Sequence, residues 1–131
     1  MLARCGILDR VVNILLADDD ANVRSALRLL LEDEPGVVIV GESSTASDLL
    51  DQLSRLDVGV LLLDWDLPGL DASGLVEQLS ALQPKLHVIA LSGRPEAERE
   101  ARGRGVESFV CKGDAPDVLL AAVRALAAVL S

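Results

Sequence analysis

Three carboxylates in this chain stand where they can do chemistry together. Asp64 closes the apolar run Val58-Gly59-Val60-Leu61-Leu62-Leu63 and opens the turn Trp65-Asp66-Leu67-Pro68-Gly69. Asp18 and Asp19 close an earlier apolar run, Val12–Ala17, in the same way. Runs of this kind read as strands buried on both faces of a parallel sheet. A carboxylate just past such a strand lies at its carboxyl end, where open α/β sheets bind their ligands. Converging carboxylates repel one another unless a cation joins them, and an oxygen-only donor set suits a hard divalent ion. The chemistry that this combination points to is the formation of an aspartyl phosphate.

Those side chains need a scaffold to bring them together, and the hydropathy pattern describes one. Strand signals recur at Val12–Ala17, Val37–Gly41, Val58–Leu63, Leu86–Leu91 and Glu107–Cys111. Helical patterns fill the gaps at Ala21–Glu34, Ser47–Leu56, Gly74–Gln83, Glu96–Arg104 and Pro116–Leu130. In the first helix Val23, Ala26, Leu27, Leu30 and Leu31 share one face, with Arg24, Arg28 and Glu32 outside, and Pro35-Gly36 ends it. Strict alternation of strand and helix implies βαβ units, right-handed crossovers and a parallel sheet. The expected fold is α/β: a doubly wound, flavodoxin-like (βα)5 three-layer sandwich whose five-stranded parallel sheet has the order 2-1-3-4-5. In that order the first and third strands flank the switch point, which gathers Asp18, Asp19 and Asp64. Ser92, after Val88-Ile89-Ala90-Leu91, and Lys112, after Phe109-Val110-Cys111, end the next two strands at the same side.

The last two helices differ in kind. Glu96–Arg104 offers only Ala97 and Ala101 as apolar residues among Glu98, Arg99, Glu100 and Arg102, which predicts a weakly docked, mobile helix. In Pro116–Leu130, Leu119, Val123, Leu126 and Leu130 supply a core face, while Val118, Ala121, Ala125, Ala128 and Val129 leave the other side apolar as well. That second face either meets a partner or reflects no more than the helix-forming strength of alanine.

Composition narrows the class. The chain has 131 residues, half of them apolar, which suits one domain with a sizeable core. Residues 1–11 read as an irregular leader and 12–131 as the domain, with no linker, repeat or low-complexity tract. A net charge of −9, with Lys85 and Lys112 the only lysines, argues against a nucleic-acid surface. Cys5 and Cys111 fit no metal or redox spacing, so a reduced, cytoplasmic compartment is expected and Cys111 reads as a small core residue. No stretch reaches the roughly 18 apolar residues of a membrane span. Arg4, Asp9 and Arg10 break up the N-terminal segment, which therefore lacks a secretory core.

Four segments, in order and each ending a strand, carry a family resemblance. They are Leu15-Leu16-Ala17-Asp18-Asp19-Asp20, Leu61-Leu62-Leu63-Asp64-Trp65-Asp66-Leu67-Pro68-Gly69, Leu91-Ser92-Gly93 and Phe109-Val110-Cys111-Lys112. From about Val12 to Leu130 the chain resembles the receiver domain of two-component response regulators, in the CheY-like superfamily. The Gly41-Glu42 pair and the tail Lys112-Gly113-Asp114-Ala115-Pro116 are similar to the LuxR/NarL-type branch, whose output is a helix-turn-helix.

The resemblance implies a phosphoacceptor switch, which catalyses only its own phosphotransfer and dephosphorylation. Asp64 would take the phosphoryl group from a sensor histidine kinase or a phosphotransfer protein. Mg2+ would be held by Asp19, Asp64 and the backbone carbonyl of Asp66, with Asp18 acting through water. Lys112 and Ser92 would contact phosphoryl oxygens, and without a phosphate Lys112 would pair with Asp64. Phe109 matches the family's aromatic switch position, coupled to Ser92, although packing as a core aromatic explains it equally. Asp66 and Arg94 occupy positions that tune hydrolysis in the family. Output would pass through the fourth helix, fifth strand and fifth helix to a partner, to a homodimer formed by the last helix, or to a DNA-binding output domain. The domain itself would bind neither nucleic acid nor membrane.

Departures from the family pattern are local. Gly69-Leu70-Asp71-Ala72-Ser73-Gly74 is longer than the usual loop, the stretch from Ser92 to Lys112 is shorter, and Gly113 replaces the usual proline, so no cis-Pro is expected there. They leave the phosphorylation set intact and the shape of the output face open. Each acidic segment alone also reads as an ordinary turn or helix N-cap. The Asp64-x-Asp66 pattern with a downstream Ser and Lys is similar to the haloacid dehalogenase phosphatases too, but here Asp18-Asp19 come first and no cap insert is visible. A receiver-like protein that binds partners without being phosphorylated is a third reading. Trp65 would shield the nucleophile or touch a partner, and His87 reads as a surface residue.

Overall fold

Valine, isoleucine and leucine fill the extended runs, and β-branched or bulky apolar side chains suit strands covered on both faces. The computed structural model describes residues 11–71 and 73–130; residues 1–10, nearly all of the expected leader, lie outside them. Five strands, β1 (Val12–Ala17), β2 (Val37–Ser43), β3 (Val60–Asp64), β4 (His87–Ser92) and β5 (Ser108–Cys111), alternate with five helices. The helices are α1 (Ala21–Leu31), α2 (Ala46–Leu53), α3 (Leu75–Leu82), α4 (Ala97–Gly103) and α5 (Pro116–Leu130). All neighbouring strands are parallel, in the order β2-β1-β3-β4-β5. The doubly wound architecture expected from the sequence is the one found.

Register decides what meets at the carboxyl edge. Ala17 lies opposite Ser43 on one side and Leu63 on the other, Asp64 lies opposite Leu91, and Ser92 lies opposite Cys111. Asp18, Asp64, Ser92 and Lys112 therefore leave the sheet at one level. Alternate residues point to opposite faces. One face packs Ile14, Leu16, Val60, Leu62, Ile89 and Leu91 against Leu27 and Leu31 of α1 and Leu119 and Val123 of α5. The other packs Leu15, Ala17, Leu61, Leu63 and Ala90 against Leu49 and Leu53 of α2, Leu75 and Leu79 of α3, and Ala97 and Ala101 of α4.

Local chemistry sets the element ends. The Asp20 carboxylate caps α1 by accepting the Asn22 N–H, and the Thr45 hydroxyl caps α2 by accepting the Asp48 N–H. α1 ends at Leu31 and not at Glu34, since a residue before proline disfavours helix. Glu34 instead binds Arg124 of α5 at 2.8 Å. α2 ends at Leu53 and not at Leu56, where the Ser54 hydroxyl turns back to the Asp51 carbonyl at 2.6 Å. The loop before α3 has Gly69 and Gly74 at positive φ, 82° and 74°, a conformation that glycine adopts at little cost. No cis peptide bond occurs among the described residues.

Three smaller expectations are corrected. Ala26 is exposed, because it falls at the rim of the buried stripe of α1. His87 is half-buried inside β4, opposite Val60. Cys111 is half-buried, since it ends the edge strand β5 at the mouth of a groove between α1 and α5. Among the described residues no helix is long and apolar enough to cross a membrane.

Candidate functional site

The carboxyl edge of the sheet gathers polar side chains from four strand ends. Asp18 and Asp64 are 1% and 2% exposed, an unusual depth for two carboxylates side by side, while Asp19 is exposed at the rim. One oxygen from each of Asp18, Asp19 and Asp64 lies within 4.8 Å of the others. Lys112 reaches in from the end of β5. Its Nζ is 2.7 Å from Asp18 Oδ2 and 3.4 Å from Asp64 Oδ1. The lysine thus pairs with Asp64 as expected, but its nearer partner is Asp18.

Backbone donors orient the acids. Asp18 Oδ1 accepts the Asp20 N–H and Asp64 Oδ1 accepts the Asp66 N–H, each at 2.9 Å. Burial pushes the Asp64 carboxyl above its ordinary value; the Asp66 N–H opposes this, the charge of Asp18 adds to it, and Lys112 offsets part of it. Burial also works against the Lys112 ammonium, but the close approach of Asp18 and the charges of Asp64 and Asp18 outweigh it and hold the lysine above its ordinary value. Lys112 is therefore a cation at neutral pH.

The residues present fit a hard divalent ion. Every donor in the cluster is oxygen, as such ions require. Asp18 Oδ2 is buried and meets the Lys112 ammonium at close range without an aligned hydrogen bond, so a buried acceptor is left with capacity to spare. Among the described residues the Asp66 carbonyl takes no hydrogen bond.

Ser92 is fully buried and ends β4 beside the acids. Its hydroxyl donates to Asp66 Oδ2 and accepts the Arg94 N–H, both at 3.0 Å. Arg94 Nη2 is 2.6 Å from Asp66 Oδ1, and this hydrogen bond chiefly holds the Asp66 carboxyl below its usual range. Phe109 is half-buried and packs on the three-helix face. Trp65 is buried in that same face, which corrects the idea that it meets a partner; its Nε1 donates to Glu100 of α4 at 2.6 Å.

Several participants escaped the sequence reading. Arg24 and Arg28, assigned to the outer face of α1, both reach Glu42 at the end of β2, at 2.9 and 2.6 Å. Arg24 also donates to the Asp18 carbonyl. Gln52 of α2 donates to the Glu42 carbonyl at 2.7 Å and to the Ser43 hydroxyl at 2.9 Å. A Cβ on Gly41 would collide with that amide, so the glycine beside Glu42 has a steric reason. Two arginines one helical turn apart were the available signal, but their acid lies on another element.

Residues 14–124 match the family described as the response regulator receiver domain. The response regulator UvrY of Escherichia coli (strain K12) is 29% identical over 118 residues, covering 88% of this chain and 54% of UvrY. The nitrate/nitrite response regulator protein NarP of the same strain is 31% identical over 117 residues, covering 86% of this chain and 53% of NarP. The chain thus spans about half the length of these curated relatives. Among solved structures, the isolated receiver domain of RcsB from Salmonella enterica serovar Typhimurium, with the phosphomimetic BeF3−, superposes with a TM-score of 0.80 at 30% identity, covering 88% of each chain.

Proposed function

This chain belongs to the response regulator receiver domain family of two-component signalling, and from that premise we propose that Asp64 is its phosphoacceptor. The observation that carries the reading is that the buried Asp18 and Asp64 share Lys112 and cluster with Asp19 at the carboxyl edge of the sheet, where the buried Ser92 ends the neighbouring strand. The donor is the phosphohistidine of a sensor kinase or of a phosphotransfer protein.

Among the described residues the polar contacts of the Asp64 side chain fall on Oδ1, which leaves Oδ2 for the attack. Oδ2 forms a bond to phosphorus as the phosphorus–nitrogen bond to the donor imidazole breaks. The electron pair stays on that nitrogen, and Asp64 becomes a mixed anhydride. Lys112 turns its charge from Asp64 to a phosphoryl oxygen, and Ser92 donates its proton to another. Hydrolysis returns the carboxylate when water attacks phosphorus. Asp19, Asp64 and the Asp66 carbonyl would hold Mg2+, with Asp18 acting through water, and the ion would supply positive charge at the phosphoryl oxygens. The protein is in this reading a cytoplasmic switch whose only catalysis is on itself. Its output passes through α4, β5 and α5 to a partner, to a second copy along α5, or to a DNA-binding domain, since a relative such as RcsB is known bound to promoter DNA.

Incubation with acetyl phosphate and Mg2+, read by phosphate-affinity gel mobility, tests the proposal. Wild type should shift and Asp64→Asn should not; an equal shift in both, or in neither, overturns it. A second consequence needs no phosphate. With its folded pKa raised above the ordinary 3.8, Asp64 holds a proton more tightly when folded, so stability falls as pH rises through that window and stays lower above it. Asp64→Asn should therefore raise the Tm of the metal-free protein by a few degrees at neutral pH, measured by calorimetry.

A further inference from the structure

Arg94 organises a closed arrangement around Ser92. Its main-chain N–H donates to Ser92 Oγ at 3.0 Å, and its guanidinium holds Asp66 Oδ1 at 2.6 Å. Between these two grips the Ser92 hydroxyl donates to Asp66 Oδ2 at 3.0 Å. A hydroxyl has a single proton and serves a single acceptor well. Ser92 has no exposed surface, so no solvent acceptor relieves the choice. In the proposed function a phosphoryl group on Asp64 takes the same hydrogen bond.

We propose that the Asp66 carboxylate, clamped by Arg94, is a positioning residue that holds the Ser92 proton away from the phosphoryl site and competes with the phosphoryl group for it. The inference rests on Asp64 being the phosphoacceptor. No covalent bond changes: the hydroxyl rotates from one anionic acceptor to another, and Asp66 keeps Arg94. The Asp66 side chain is 45% exposed, so its carboxylate is hydrated once Ser92 leaves it. One charge-assisted hydrogen bond is exchanged for another, so the clamp sets the affinity for a phosphoryl group without forbidding its capture.

Beryllofluoride binding in excess Mg2+, followed by fluorine NMR, reads this competition in four proteins: wild type, Asp66→Ala, Ser92→Ala and the double variant. Asp66→Ala keeps the backbone carbonyl proposed as an ion ligand. It should tighten the Kd roughly tenfold, and that gain should vanish in the Ser92→Ala background, as coupled neighbours require. An equal gain in both backgrounds overturns the inference, because Asp66 would then act through charge alone. An unchanged Kd in Asp66→Ala with clear binding by wild type also overturns it and leaves the phosphoacceptor reading standing. No binding by wild type or by Asp66→Ala removes both.

Discussion

The fourth and fifth helices flank the same edge strand from opposite faces of the sheet and are held there by different forces. α5 buries Leu119 and Val123 and packs Leu126 beside them, so it is anchored by aliphatic volume. α4 buries two methyl groups, those of Ala97 and Ala101, and its Glu100 accepts a directional hydrogen bond from the indole of Trp65. Buried apolar area contributes about 25 cal/mol per Å², so the α4 side of β5 has much less to lose when something pulls on it. Trp65 is also the residue next to Asp64. A change at Asp64 therefore has a short polar connection, through Trp65 and Glu100, to the lightly anchored helix. The difference teaches that two helices on one strand can be anchored to very different degrees, and that here the division is written in residue size.

The sharpest way to break this comparison is to weaken the anchored side. Leu119→Ala should cost about 3 kcal/mol in urea unfolding, the usual price of a leucine-to-alanine cavity in a core. A loss below about 1 kcal/mol would mean that α5 is no better anchored than α4.

Trp65→Phe comes next and sharpens the contrast. It deletes the Glu100 bond and should lower stability by about 1 kcal/mol, with faster amide exchange confined to α4. Equal acceleration in α4 and α5 would show that the two helices are one unit.

The two-helix face carries an ionic clamp that makes it sensitive to acid. The Arg28 hydrogen bond, opposed by partial burial and helped by Arg24, holds the Glu42 carboxyl below its ordinary 4.5. Its stabilisation is thus complete above pH 4.5 and is lost as pH falls through the lowered folded value. Glu42→Gln should lower stability at neutral pH and flatten the acid limb of the stability profile. An unchanged acid limb would show that the clamp contributes nothing.

The smallest effect is expected on the outer side of α5, where Val118 and Val129 are 43% and 74% exposed. Val129→Asp should leave monomer stability within about 0.5 kcal/mol. If α5 joins two copies, the same change should abolish beryllofluoride-induced dimers in light scattering; persistence of the dimer would place the contact elsewhere.

The sequence by itself determined the order and type of all ten elements, because alternating apolar runs of strand length and helical stripes leave few packings for a chain of this size. It also placed Asp18, Asp19, Asp64, Ser92 and Lys112 at one edge, since each ends or follows a strand and strand ends of a parallel sheet converge. Only the tertiary structure decided which atoms those residues meet. Lys112 lies nearer Asp18 than Asp64, Asp66 holds Ser92, Trp65 turns inward to Glu100, and Arg24 and Arg28 fold back to Glu42. The physical reason is reach. Burial follows a periodicity printed along one segment, whereas a hydrogen bond depends on the separation of two atoms supplied by different segments, and that separation exists only once the sheet has set its register.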